Sequence, residues 1–340
     1  MTVAIFDHHE KNLLLQHSVT ALLQIAQRRG ACLHKLLHGT QIFEQDLSRP
    51  DSRCHHRDWL TLLGRCQQLA SPELPFILAD ALLHNPALAL SQSLPKAPHL
   101  AGCLRQLWYF RHQLLPGVFA LVQHTEQYRV LLLKPALQLG PQQGFILNLA
   151  LALLVQLIQH HTGRGNNLRV QLKQAAPSHP AQISSYWPCS VSFGQPVDAL
   201  YIPHQLWFQP WPEHHAGEFR AYRRACYQLN RRLPRQRGLF EILQRQLYRT
   251  MPATLSLEQA ASLLGCSSSS VKRLLQQQGS SYAALADDLR CDLATLLLCQ
   301  GKLSNKQLAS QLGYSDEHNF RRAFKRWTGN VPSSLRLPVS

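Results

Sequence analysis

Two basic clusters near the end of the chain carry the most legible chemistry. The later holds Arg321-Arg322 and Lys325-Arg326 with Glu317 and His318; the earlier holds Lys272-Arg273 with Ser268 and Ser269. A guanidinium presents a planar fork of donors that matches the O6/N7 edge of guanine or two phosphate oxygens. In each cluster the polar residues interleave at helical spacing with apolar ones: Phe320, Ala323, Phe324 and Trp327 in the later, Val271, Leu274 and Leu275 in the earlier. A helix so built buries one face and offers the other to a polyanion. The chemistry on offer is recognition. No GxSxG, P-loop, HExxH or GxGxxG motif occurs, so no catalytic residue and no cofactor are expected.

Histidine and cysteine point to no site either. Of 18 histidines, 17 precede residue 250, including the pairs His8-His9, His55-His56, His160-His161 and His214-His215. Cys54-His55-His56 has ligand types but no second half at ligand spacing. Adjacent residues also point to different faces of a helix or strand. Surface imidazoles and no metal are therefore expected. Nine scattered cysteines, an odd number without a CxxC, read as reduced thiols in a cytoplasm, and no signal peptide is legible at the N-terminus.

The elements that must position the basic clusters repeat. Ser256–Gly265 aligns with Ser304–Gly313 at an offset of 48, with Ser, Gln, Ala, Ser, Leu and Gly in place. Both copies open S-x-x-Q, a capping box, and close on the glycine that a sharp helix stop needs. A second helix follows each, capped by Ser267 in the first copy and by Ser315 or Asp316 in the second. One inserted residue makes the offset 49, so Val271 matches Phe320, Arg273 matches Arg322 and Leu275 matches Phe324. Short helix, glycine turn, capped second helix is a helix-turn-helix, and here there are two. Between them Tyr282–Cys299 reads as one helix with the stripe Leu285, Leu289, Leu293, Leu296 and Leu297. At 1.5 Å per residue it is about 27 Å long, close to the ~34 Å between successive major grooves on one face of DNA. Facing then puts Ser268, Ser269, Lys272 and Arg273 of the first recognition helix, and Glu317, His318, Arg321, Arg322 and Lys325 of the second, towards a groove.

The rest of the chain has a different texture. With 340 residues, 45% of them hydrophobic and 16% charged, two domains with sizeable cores are expected and a disordered chain is excluded. Residues 13–37 read as helix broken at Gly30. Trp59–Leu69, Leu74–Leu83 and Cys103–Leu115 read as further helices. Phe119–Gln123 and Tyr128–Leu133 read as a hairpin, and Leu168–Leu172, Tyr186–Phe193 and Ala199–Ile202 as short strands. The apolar window Phe145–Ile158 is shorter than the ~20 residues of a bilayer span and reads as either a core helix or a dimer helix. Glu218–Arg249 is an arginine-rich helical stretch broken at Pro234. The fold class is thus an α+β N-terminal domain, a small sheet with helices, followed by an all-α domain of two helix-turn-helix motifs joined by a long helix. The boundaries are 1–215 for this first domain, to which the resemblance given below assigns sensing and dimerisation, 216–250 for a basic helical linker and 251–340 for DNA binding.

Charge adds a second observation. Lys and Arg number 35 against 19 Asp and Glu, a net charge of +16 that suits a polyanionic partner. Residues 251–340 carry only +4 of it and the first 250 residues +12. The stretch Arg220–Arg249 therefore lies along DNA, binds an acidic ligand or is solvated, and the sequence leaves these three open.

Arg290…Ala294…Leu297, then Leu303-Ser304…Leu308-Ala309…Leu312-Gly313-Tyr314-Ser315-Asp316…Phe320-Arg321-Arg322-Ala323-Phe324-Lys325-Arg326-Trp327…Gly329…Pro332…Arg336, resembles the AraC/XylS transcriptional regulators over about residues 236–338. The first copy departs from the pattern, with Leu275 where the family usually has Phe and Leu285 where it often has Tyr. The resemblance implies that Ser269, Lys272, Arg273, Glu317, His318 and Arg322 face bases. Ser268, Arg321, Lys325, Arg326 and the helix N-terminal amides then face phosphates, which position without specifying. Leu168-Arg-Val, Cys189-Ser-Val-Ser-Phe193-Gly and Leu200-Tyr-Ile resemble, more thinly, the arabinose-binding-type sensor domain of the ornithine-utilisation-regulator subgroup. That implies a small cavity between sheet and helices and a dimerisation surface. Lys35, Arg111 and Lys134 are the cations there that would neutralise an acidic ligand.

The function expected is a sequence-specific bacterial transcriptional activator or repressor, controlled by a small ligand or by dimerisation. The expected partners are double-stranded promoter DNA, RNA polymerase, a small-molecule effector and a second copy, with no membrane. The alternatives are a non-specific architectural DNA binder and an enzyme in residues 1–230 tethered to DNA by the tail.

Overall fold

The computed structural model describes residues 5–6, 11–69, 73–163, 166–176, 186–233 and 237–335. Strand β1 (Ile5–Phe6) opens the described chain, followed by β2 (Lys11–Leu14), a π-helical turn (Leu15–Val19), α1 (Thr20–Arg28) and α2 (Leu33–Leu37). The helix expected from residue 13 thus starts later. Leu13 and Leu14 pair in antiparallel register with Cys54 and Arg53 of β3 (Arg53–His55), and a leucine run does not by itself distinguish helix from buried strand. Helices α3 (His56–Leu69), α4 (Leu74–Leu83) and α5 (Ala89–Ser93) follow. Then α6 (Leu100–Phe110) ends earlier than expected, its last turn tightened into a 3-10 turn at Arg111–Gln113.

The sheet has five strands. β4 (Val118–His124) and β5 (Tyr128–Pro135) form the expected hairpin, closed where Thr125 Oγ1 donates to Tyr128 O (3.0 Å) and accepts from Tyr128 N (2.9 Å). With β6 (Arg169–Gln171), β7 (Ser190–Ser192) and β8 (Ala199–Pro203) the order is β4-β5-β8-β6-β7, antiparallel except for β6 and β7. The strand expected over Tyr186–Phe193 is therefore only Ser190–Ser192. The long helix α7 (Gln143–Thr162) packs on α4 and on the hairpin. Its 20 residues are long and apolar enough to cross a membrane by length and composition, beyond the shorter window read from sequence. In this fold they are spent in the core, where Leu149–Val155 are all buried.

Helix α8 (Ala216–Arg232) and the two-residue strand β9 (Arg237–Gly238), parallel to β1, lead to α9 (Leu239–Thr250). The helical end of the chain is α10 (Leu257–Leu264), α11 (Ser268–Gln277), α12 (Tyr282–Cys299), α13 (Asn305–Gln311) and α14 (Glu317–Thr328). Leu239, Phe240 and Leu243 of α9 form one core with Ala260, Ala261, Leu264, Val271, Leu275 and Leu285. Leu289, Leu293, Leu308, Phe320 and Phe324 belong to the core that runs through the sheet domain.

Candidate nucleic-acid interface

Each helix-turn-helix is built as its sequence dictates. Ser256 Oγ accepts from Gln259 N (3.2 Å) while Gln259 Oε1 accepts from Ser256 N (2.8 Å), and Ser304 with Gln307 repeats the pair at the same two distances. Gly265 and Gly313 then turn the chain at φ +67° and +78°, where a Cβ is disfavoured. The recognition helices start on Ser267, which accepts from Ser270 N (3.2 Å), and on Asp316, which accepts from Asn319 N (2.7 Å). That bond to the helix amide is what holds the Asp316 carboxyl below its ordinary range.

Burial separates the two faces of these helices. Val271, Leu275, Phe320 and Phe324 are buried, and Ser269, Lys272, Arg273, His318, Arg321, Arg322, Lys325 and Arg326 are exposed. Ser268 and Glu317 are half-buried. Two of the cations already have partners. Arg321 pairs with Glu317 one turn back, and Arg326 Nη2 reaches Asp287 Oδ2 of α12 at 2.7 Å. Arg322, Lys272, Arg273 and Lys325 have no ion pair within the described residues and face outwards together with them. In the arginine-rich stretch, Arg220, Arg223, Arg224 and Arg231 of α8 are exposed, whereas Arg245 lies 2.8 Å from Glu241 and over the Phe119 ring.

The three cations singled out in the sensor domain do not come together. Lys35 is exposed on α2. Arg111 is buried and donates to Val118 O and Trp108 O (3.0 Å each) and to the buried Glu241 of α9. Lys134, only 2% exposed, reaches from β5 to Asp288 and, at 2.5 Å, to Asp292 Oδ2, both on α12. The carboxylates that Arg111 and Lys134 neutralise are thus the chain's own, on α9 and on α12 of the DNA reader. Lys173, just past β6, joins them at 3.0 Å from Asp292 Oδ1 and 3.5 Å from Asp288 Oδ1, and Gln244 donates to Asp288 at 2.9 Å. Burial disfavours the Asp288 carboxylate, but Lys134 and Lys173 outweigh it and hold its pKa down at about 2. Beside this cluster lies a cavity of about 210 Å³ between β5, α7, α9 and α12, with Lys134, Lys173, Asp198 and Gln244 on its wall.

Glu241, Lys173, Asp288 and Asp292 escaped the sequence reading. The signal was two acids at i and i+4 on a helix otherwise striped with leucine, which only a cationic partner on another element would explain.

The N-terminal arabinose-binding domain of AraC transcription regulators matches residues 30–211, more than half of the chain, and a helix-turn-helix domain matches residues 260–337. The chain belongs to the AraC family of transcription regulators. An ornithine utilization regulator of Pseudomonas aeruginosa is 26% identical over 93% of this chain and 94% of its own length. The HTH-type transcriptional regulator VqsM of the same species is 33% identical over 24% of this chain and 25% of its own. Among solved structures, the transcriptional regulator CdpR of P. aeruginosa aligns over 81% of this chain and 95% of its own at 18% identity, with a TM-score of 0.34. This AraC-type chain is therefore a DNA-binding transcriptional regulator, not an enzyme, with a helix-turn-helix reader and a ligand-binding-type N-terminal domain.

Proposed function

We propose that this regulator reads promoter DNA with both recognition helices. Ser269, Lys272, Arg273, Glu317, His318 and Arg322 face bases, and Ser268, Arg321, Lys325 and Arg326 hold phosphates. The observation that carries this reading is the outward set Lys272, Arg273, Arg322 and Lys325 on two helices with matching caps and matching buried faces. A small effector acts through the sensor domain by changing how that domain packs on the reader, a population shift between two arrangements. The shift is transmitted across the seam where Lys134 and Arg111 pair with α12 and α9, a reading those ion pairs support. A regulator of this kind works at the promoter, which places it in a bacterial cytoplasm with RNA polymerase and a second copy as further partners. Full-length similarity to an ornithine utilization regulator makes ornithine the first effector to try.

The test compares affinity for the chain's own promoter and for random DNA over a salt series. A specific reader binds its promoter at least ~10³-fold tighter at physiological salt. Equal affinities with one common salt slope would make it an architectural binder instead. Arg322→Ala should cost about 1–3 kcal/mol at one base position and relax preference there, while Lys325→Ala should weaken every sequence alike. Unchanged promoter binding by Arg322→Ala would remove the groove assignment.

A further inference from the structure

We propose that His160, His161 and Glu213 form a binding site for a divalent transition-metal ion of the zinc class, in the sensor domain and away from both DNA-reading helices. Each of the three offers a ligand atom within 4.8 Å of the other two. The histidines close α7, and Glu213 lies 53 residues beyond His160 in sequence, in the turn that precedes α8. Adjacent helical residues normally diverge. Here the helix stops at Gly163 and the His161 ring stacks on Trp211 at 3.8 Å and 9°, which sets it edge-on to His160 with ring centres 4.8 Å apart.

The donor set suits such an ion. His161 is 8% exposed and its Nε2 is buried with no hydrogen-bond partner, a polar atom the apo protein leaves unsatisfied. His160 Nε2 lies 2.7 Å from Glu213 Oε1, and the other oxygen, Oε2, is 3.7 Å from Lys96 Nζ. An ion taking Oε1 would leave the Lys96 contact in place. A further imidazole, His84, stands 6.4 Å ring to ring from His160, with its Nδ1 held 3.1 Å from Asp80 O and its Nε2 the remaining donor atom. Two imidazoles and a carboxylate are a borderline-soft set that favours zinc, nickel or copper over magnesium or calcium. The site also sits at the C-terminal end of a 20-residue helix, where the unsatisfied carbonyls favour a cation. Occupied, it would tie the core helix of the sensor domain to the start of the arginine-rich α8.

The full-length chain, without an affinity tag and stripped with a chelator, is titrated with Zn²⁺ in competition with a chromophoric chelator. Co²⁺ absorption reports coordination number in parallel. The result expected is one tight equivalent whose affinity falls roughly tenfold or more in His160→Ala and in Glu213→Gln. Both positions are about half exposed, so both variants fold. His34→Ala, on an exposed face of α2, should change nothing. The absence of a stoichiometric equivalent overturns the proposal, as does an equivalent that survives either His160→Ala or Glu213→Gln. In those cases the trio is a hydrogen-bonded pair beside a stacked histidine.

Discussion

At the scale of the residue, the cost of burying a titratable group is open to measurement at His17. It is 8% exposed in the turn between β2 and α1, and burial pulls its pKa down to about 4. The unfolded chain protonates this imidazole near 6.5 and the folded chain only near 4, so the unfolded state holds more protons between those values. The stability His17 contributes as a neutral group is complete above pH 6.5 and is lost as the pH falls towards 4, at about 1.4 kcal/mol per pH unit at most. Denaturant unfolding at pH 7, 6 and 5 should therefore show a shallower acid limb for His17→Leu than for the wild type. Equal slopes would mean that the ring is already protonated in the fold. The same scale decides the reader. Arg321 and Arg322 are neighbours in sequence and both exposed, yet one is paired with Glu317 and the other has no ion pair among the described residues, which is why Arg322 is the one proposed to discriminate bases.

At the scale of the element, local chemistry wrote the helix-turn-helix units and long-range pairing wrote the sheet domain. Ser256 and Gln259, Ser304 and Gln307 satisfy each other's backbone partners within four residues, so the caps were legible in the string. The hairpin at Thr125 was legible for the same reason. Leu13-Leu14 was not, because what makes it a strand is β3, some 40 residues further on. The pairing of Lys134 with Asp292, 158 residues apart, leaves no local trace beyond the odd placement of two acids on α12. Replacing Ser256 or Ser304 by Ala should cost about 1 kcal/mol each, read as a lowered denaturation midpoint with an unchanged slope. Gly238 is a harsher case. It caps α9 where Phe240 N and Glu241 N both donate to Ala136 O, and a Cβ there would stand 1.9 Å from that oxygen. Gly238→Ala must push α9 away from Ala136 at the end of β5, so a loss well beyond the ~1 kcal/mol of an ordinary cap is expected. A Gly238→Ala chain of wild-type stability would mean that this seam gives way freely.

At the scale of the whole molecule, the sensor and the reader are joined by a shared apolar core and by charges that water does not reach. Lys134 and Asp292 are each 2% exposed, so either one alone would be a buried charge offset only by a more exposed neighbour, Asp288 or Lys173. Lys134→Met should then cost about 3–5 kcal/mol, somewhat less to the extent that Lys173, 3.0 Å from Asp292, takes up the slack. Asp292→Leu should cost less, because Lys134 keeps its second partner, Asp288. The double variant removes both charges and should be far less destabilised than the sum, with a coupling of about 1–3 kcal/mol in denaturant unfolding. Strict additivity would show that the two charges do not feel each other and that this pair adds nothing to the apolar core in holding the domains. Acid supplies an independent handle on the same contact. With the Asp288 pKa held at about 2 against an ordinary 3.8, its contribution is intact above pH 4 and is lost as the pH falls through 2. If this seam couples effector to DNA, then in each single variant the factor by which effector changes promoter affinity should depart from the wild-type factor, and promoter should change effector affinity by that same altered factor, because coupling between two sites is reciprocal.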